Sequence, residues 1–414
     1  MPSALPHPAL DASQNLIPAL KAFWPTYKSF FPSATSLLDY RNHVAFYSKA
    51  DSLHSAIAIC GFFTIYVYVM QQITGNASQV DGLWTFLPVI YGAHFALQKY
   101  VAYQIDPPKL SGFFGATRSV TQSWADLVEP RLALMLALQL LWSARLTYNA
   151  VRRGMFKAGE EDYRWPLLRA RMSRPVWEIF TLTFIAIAQN ILLACTALPQ
   201  YVILQSASAK YKSAPPPRPA SHLVAGDYAI AALLVVNLVV QFIADHQQQE
   251  YQNFKRGNDI TGKPLTVSEA RSSRYTPSDA KRGFVTKGLW AWSRHPNFAC
   301  EQTTWWILWL FVPLTFYPSS HHVARPAFEY LVNAAIASPL LMNSLFLPSA
   351  LFSEEVSAEK YPEYRQYQRR VGMFWPIPDT LARSAYYGFV ADKATKQRVE
   401  ADVWGSPAVH DKLK

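Results

Sequence analysis

The apolar residues of this chain fall into blocks separated by polar stretches, and the block lengths set the first expectation. A helix that crosses a bilayer needs about 20 mostly apolar residues, because the hydrocarbon core is about 30 Å thick and a helix rises about 1.5 Å per residue. Seven windows meet or approach that length: 55–73, 83–103, 132–148, 179–204, 228–244, 303–316 and 328–351. The sixth is short, but its Trp305, Trp306, Trp309 and Phe311 suit the headgroup level, where indole rings concentrate. The pattern predicts an all-α fold, a polytopic membrane helical bundle of about seven transmembrane helices. Residues 16–31 mix Leu, Phe and Trp24 with Lys21, Lys28 and two prolines, so this segment is expected to lie on the membrane surface. No basic stretch leads into a short apolar run with a small-residue cleavage site, and no cleavable signal peptide is expected.

Composition agrees with the blocks. The 414 residues are 50% hydrophobic and 16% charged, against about 25% charged in ordinary soluble domains. That apolar content excludes disorder, and three cysteines in so long a chain exclude a disulfide scaffold. The net charge of +11 raises nucleic acid as a partner, but its distribution argues for an orientation signal instead. Of the Lys and Arg outside the seven windows, about 26 lie in the segments after spans one, three, five and seven, and about 11 in the others. One short connection alone holds Arg152, Arg153, Arg164, Arg169, Arg171 and Arg174. The C-terminus is therefore expected in the cytosol and the N-terminus in the lumen. The sequon Asn76-Ala77-Ser78 then falls on the cytosolic side, where no glycan is expected.

Three stretches break the bundle. The prolines of 210–221 make a stiff extended linker. Residues 256–287 form a polar loop long enough to act as a lid. The last thirty or so residues lack periodicity and are expected to be a loosely held tail. The organisation is thus an N-terminal interfacial segment, 1–53, a membrane-embedded domain, 54–378, with cytosolic loops 149–177 and 245–301, and a cytosolic tail, 379–414.

Polar side chains at the ends of membrane spans are costly and mark candidate chemistry. Four clusters stand out. Arg145, Asn149 and Arg152 lie at helical spacings of four and three, beside Tyr148 and Arg153, on a face suited to phosphate. Gln241, Asp245, Tyr251 and Lys255 run as a polar stripe from the end of span five. The run 288–301 holds Trp292, Arg294, His295, Asn297 and Glu301, with Arg294 offering a planar fork for phosphate and Asn297 and Glu301 one turn apart after Pro296. Glu354 and Glu355 precede Tyr361, Tyr364 and Arg365, which are expected on one side of a helix where they could stack on and pair with a nucleotide. Cys60, Cys195 and Cys300 show no metal-ligand spacing and read as apolar fillers.

The Arg-His-Pro-Asn-Phe core with its downstream Glu301, the Ala-Asp-His-Gln stripe leading to Phe254-Lys255, and the segment 361–370 resemble the DUF1295 branch of the steroid 5-alpha-reductase C-terminal-like membrane family. The likeness runs from about span two onward and is closest over 241–376. It implies a seven-span endoplasmic-reticulum enzyme that binds NADPH at its cytosolic face. The implied reaction is reduction of a carbon–carbon double bond conjugated to a carbonyl in a hydrophobic small molecule. Asp245, Asn297 and Glu301 match the family's aspartate, asparagine and acid, Glu354 falls at a nucleotide-side position, and Arg145 and Arg153 match basic residues of span three. Asp81 stands where the steroid reductases carry a catalytic acid, but Trp142 replaces their proton-donating tyrosine, leaving Tyr148 or Tyr91 as the available phenol. Isoprenylcysteine carboxyl methyltransferases share the architecture, the Arg-His-Pro and the Glu-Glu, so an S-adenosylmethionine-dependent methyltransferase is the alternative, with a non-catalytic membrane protein as the third.

Overall fold

The computed structural model describes residues 7–107, 109–111, 117–119, 122–157, 159–206, 222–317, 326 and 328–405. Its elements are helices apart from one antiparallel ribbon, Lys109–Ser111 with Thr117–Ser119. Four helices have the length and apolarity to cross a membrane: Ser52–Thr74, Arg174–Cys195, Ala225–Lys255 and Ala334–Lys360. In three of them only 28% of the apolar window is buried. So much outward-facing hydrocarbon is unfavourable in water and appropriate in lipid, and the chain is a helical membrane bundle. The other three expected spans are also helical, but shorter, interrupted or more polar. Leu87–Ile105 has 19 residues, Pro130–Arg152 carries Arg131, Gln139, Arg145 and Arg152, and Pro296–Trp309 stops one residue before Phe311–Phe316 begins. Among the described residues, length and apolarity therefore support four spans, against the seven expected. Residues 210–221, the expected proline linker, lie outside the described residues.

The chain divides into two compact units, Met1–Val235 with Trp305–Met342, and Val236–Thr304 with Asn343–Lys414. In the first, Leu87–Ile105 packs along Pro130–Arg152 around fully buried Tyr91, Phe95, Met135 and Trp142. The Trp142 ring, fully buried, meets Trp305 edge-on at 5.1 Å, so Trp142 belongs to the core of this unit. Arg131 and Asp227 form a buried two-pronged pair, with Nε to Oδ1 at 2.6 Å and Nη2 to Oδ2 at 2.9 Å. Arg131 Nη1 also donates to Thr315, so three helix ends meet at one guanidinium. The segment expected at the surface is a helix, Leu16–Phe30, that keeps Ile17, Leu20 and Trp24 exposed and docks through Ala19, whose carbonyl bonds His54 Nε2 at 2.8 Å.

The second unit corrects two expectations. The stretch 256–287 is not a plain polar loop. It carries helices Val267–Ser272 and Pro277–Arg282, each opened by a capping box, Thr266 with Glu269 and Thr276 with Asp279. Nor is the tail loose. Helices Leu381–Phe389 and Lys393–Trp404 pack Tyr387, Val399 and Val403 against Phe284, Tyr364, Tyr367 and Val371. The last helix buries Val399 and Val403, one turn apart, and packs Trp404 beside them, a pattern too sparse to read as periodicity.

Candidate functional site

Two of the expected stripes meet inside the second unit. Gln241 and Asp245 sit one turn apart near the end of Ala225–Lys255, and Asn297 and Glu301 one turn apart at the start of Pro296–Trp309. Gln241 Nε2 donates to Glu301 Oε2 at 2.7 Å and to the Asn297 carbonyl at 3.1 Å, while Asn297 Nδ2 donates to Asp245 Oδ1 at 3.2 Å. Gln241 Oε1 is buried with no hydrogen-bond partner among the described residues. Leaving such an acceptor unpaired costs about 1–3 kcal/mol, which makes it a place for a ligand donor.

Arg294, His295 and Glu354 form a second knot. Backbone pairing of Arg294 N with the Gly372 carbonyl (2.9 Å) and of His295 N with the Met373 carbonyl (3.0 Å) fixes the Arg-His-Pro turn. Arg294 grips Glu354 with Nε and Nη2 and turns Nη1 to the carbonyls of Gln368 and Val371. Glu354 also bonds His295 Nε2 at 2.9 Å and accepts from Gln368 Nε2 at 2.9 Å. Four of the five guanidinium N–H groups are engaged inside the protein, so the expected phosphate fork is a positioning residue instead. The preceding turn is held from the stripe: Trp290 Nε1 donates to the Ala244 carbonyl and Leu289 N to Gln247 Oε1. Gly288, at φ +66°, lets Gln247 pass where a Cβ would stand 2.5 Å from its amide.

Lys255 and Tyr361 are also brought together, Nζ to Oη at 2.7 Å. Partial burial pulls the Tyr361 phenol up, but the Lys255 bond and charge, with Lys360, outweigh it and hold the phenol below the ordinary tyrosine range. Tyr361, Tyr364 and Arg365 do not share a side: Tyr364 is buried in the aromatic core, while Arg365 is exposed. Arg365 lines a hollow of about 340 Å³ with Leu351, Glu354, Glu355, Glu359 and Gln368. Trp292 is exposed.

The remaining candidates lie in the first unit. Arg145 and Asn149 are buried, Asn149 Oδ1 accepts from Arg152 Nε at 2.9 Å, and Arg152 covers the ring of half-exposed Tyr148 at 5.4 Å. Arg153 closes the same helix. Asp81 Oδ2 accepts the Trp165 indole N–H at 2.8 Å. Burial raises its carboxyl above the usual aspartate range, against the pull of Trp165 and Arg164. Sequence reasoning missed the task of the 159–165 run, which is a clasp. Glu161 Oε1 binds Ala77 N and Arg169 Nη2, Asp162 N donates to Ser78 Oγ, and Asn76 Nδ2 donates to the Glu160 carbonyl. The signal was present as acids facing a short polar turn that leaves backbone N–H groups unpaired. Among the described residues no group of His, Cys, Asp and Glu could hold a metal.

Fold and site together define a helical membrane protein with a buried polar centre at the ends of its apolar helices. The chain belongs to the DUF1295 family, described as a protein of unknown function, whose pattern it matches over residues 67–371. It is similar to an uncharacterized protein of Schizosaccharomyces pombe, 31% identical over 322 residues that cover 78% of each chain. No solved structure matches it.

Proposed function

We propose that the chain is a membrane-bound, NADPH-dependent oxidoreductase that reduces a conjugated carbon–carbon double bond in a lipid or steroid-like substrate. The supporting observation is the orphaned Gln241 Oε1 beside Asp245, Asn297 and Glu301. A buried acceptor suits an N–H donor such as a nicotinamide carboxamide, and two carboxylates suit ribose hydroxyls. These four residues would hold the polar end of the cofactor, and Arg365, exposed at the hollow, is a cation that could meet a phosphate. Arg294 and His295 serve by fixing Glu354 and the turn that delivers Asn297. What NADPH supplies when bound is a hydride for the β-carbon, the α-carbon taking a proton from water.

One observation favours a second reading, an S-adenosylmethionine-dependent methyltransferase. The hollow carries Glu354, Glu355 and Glu359 against a single Arg365, and S-adenosylmethionine is a cation without phosphates. Calorimetric titration of the purified chain with each cofactor separates the two. Micromolar binding of NADPH without binding of S-adenosylmethionine supports the reductase, the converse establishes the methyltransferase, and binding of neither overturns both. Turnover of a panel of lipid enones then identifies the substrate class.

A further inference from the structure

Helix Leu381–Phe389 is amphipathic the wrong way round for a helix in water. Its packed side carries Tyr387, part of the aromatic core, and Ser384, which accepts from Arg370 Nη1 at 2.8 Å. Its outer side carries Leu381, Ala382, Ala385, Tyr386 and Phe389, all exposed. These positions, i, i+1, i+4, i+5 and i+8, form one continuous apolar stripe. Phe389 is 91% exposed and Val390 70%, and the chain entering the helix adds Trp375 and Ile377, 42% and 69% exposed. Scattered apolar residues on a surface need no explanation, but a contiguous aromatic and aliphatic patch does.

Two observations name its occupant. The first is continuity with the membrane. Trp375 Nε1 donates to Thr303 Oγ1 at 3.1 Å on helix Pro296–Trp309, and Phe298 of that helix meets Phe346 of the Ala334–Lys360 span edge-on at 5.0 Å. The patch is therefore joined through Trp375 to a helix that packs on a membrane-crossing span, and indole and phenol rings concentrate at the headgroup level. The second is charge. From Arg365 to Arg398, both included, stand seven Lys and Arg against two Asp. Arg383 stands on the helix itself, paired with Asp379 and donating from Nη1 to the Gln368 and Arg369 carbonyls, while Arg369 and Lys393, before and after the helix, are exposed. An apolar stripe rimmed with cations is the pattern of a helix lying in the plane of an anionic membrane surface.

We propose that residues 375–390 are an in-plane anchor that seats the second unit on the bilayer surface and binds anionic headgroups in preference to zwitterionic ones. The native chain, reconstituted in nanodiscs of phosphatidylcholine alone or mixed with phosphatidylserine, provides the first test by hydrogen–deuterium exchange. Exchange of 381–390 is expected to slow at least about fivefold with phosphatidylserine, the factor for one basic residue at an anionic surface; equal rates in both lipids would overturn the headgroup preference. The second test attaches an environment-sensitive dye to Ile377→Cys, Phe389→Cys and, on the neighbouring helix, Gln397→Cys, in nanodiscs with lipids brominated near the headgroup. Dye emission at 377 and 389 is expected to fall at least about twofold relative to 397. Protection from exchange without quenching, the result a second copy of the chain covering the stripe would give, overturns the proposal.

Discussion

Arg294 and Glu354 form a two-pronged ion pair, Nε to Oε1 at 2.6 Å and Nη2 to Oε2 at 3.1 Å, with 6% and 4% of their side chains exposed. Removing one partner of a buried pair strands the other charge, at a cost of about 3–5 kcal/mol. Glu354→Gln and Arg294→Ala are therefore expected to lower the melting temperature of the detergent-solubilised protein sharply. Arg294→Lys, which keeps the charge and loses the fork, should fall between them and the wild type. Melting within a degree of wild type for all three would remove the positioning role.

The two helix stripes predict a graded effect on ligand binding. Asn297→Ala and Glu301→Ala each remove a polar group that touches Gln241 or Asp245, and a loss of about tenfold in cofactor affinity is expected, equivalent to about 1.4 kcal/mol. Cys300→Ala should change it less than about twofold, because the bond that Asn237 Nδ2 gives the Cys300 carbonyl at 2.8 Å survives the substitution. Isothermal titration of the three variants decides, and equal losses would refute the assignment.

Gly283 sits at φ +93° with the Tyr361 ring where its Cβ would be, 2.1 Å from Cε1. Gly283→Ala carries both a backbone penalty of about 1–2 kcal/mol and a steric overlap, so it should destabilise the protein strongly. Adding Tyr361→Ala should recover the steric share and leave the backbone share. A double-mutant cycle by thermal unfolding measures the coupling, and strict additivity would contradict the contact.

Asp279 gives the loop 276–287 a pH dependence. Burial alone would raise its carboxyl, but Lys287, the Thr276 amide and hydroxyl and the Lys287 charge hold it below the ordinary aspartate range. Arg282 Nη1 adds a bond at 2.9 Å. The carboxyl is therefore harder to protonate in the folded protein than in the unfolded one. Its stabilisation is present in full above the unfolded value of about 3.9 and disappears as the pH falls through the lower folded value. At pH 7 Asp279→Asn should melt below wild type, with a deficit of about 1–3 kcal/mol, and the gap should close as the pH falls through the lowered folded value. A gap unchanged across that range would exclude Asp279 as its source.

What could be read in advance depended on whether neighbours in sequence or neighbours in space set the pattern. The apolar blocks at 55–73 and 228–244 announce their helices because twenty similar residues leave no other reading. Likewise, the one-turn spacing of Gln241 with Asp245 and of Asn297 with Glu301 gave two faces that do meet. Arg294 misled because an arginine fork matches a phosphate and a carboxylate equally well, and the carboxylate was 60 residues away. The Trp165 to Asp81 bond, across 84 residues, had no local signature. Helix Lys393–Trp404 was hidden for a simpler reason: a helix that offers two valines to a core lacks the repeated apolar positions from which amphipathicity is read.

The strand-like pairing of Arg294 and His295 with Gly372 and Met373 ties a turn to a partner made some eighty residues later, and Val399 and Val403 close the same core from later still. A chain extended past Glu354 but not yet to Gln368 can already pair that carboxylate with an Arg294 whose remaining acceptors are still to be made. Termination after Lys360 but before Gly372 would thus leave a product that inserts its apolar helices and lacks the carbonyls that complete the Arg294 turn, a ready substrate for membrane quality control.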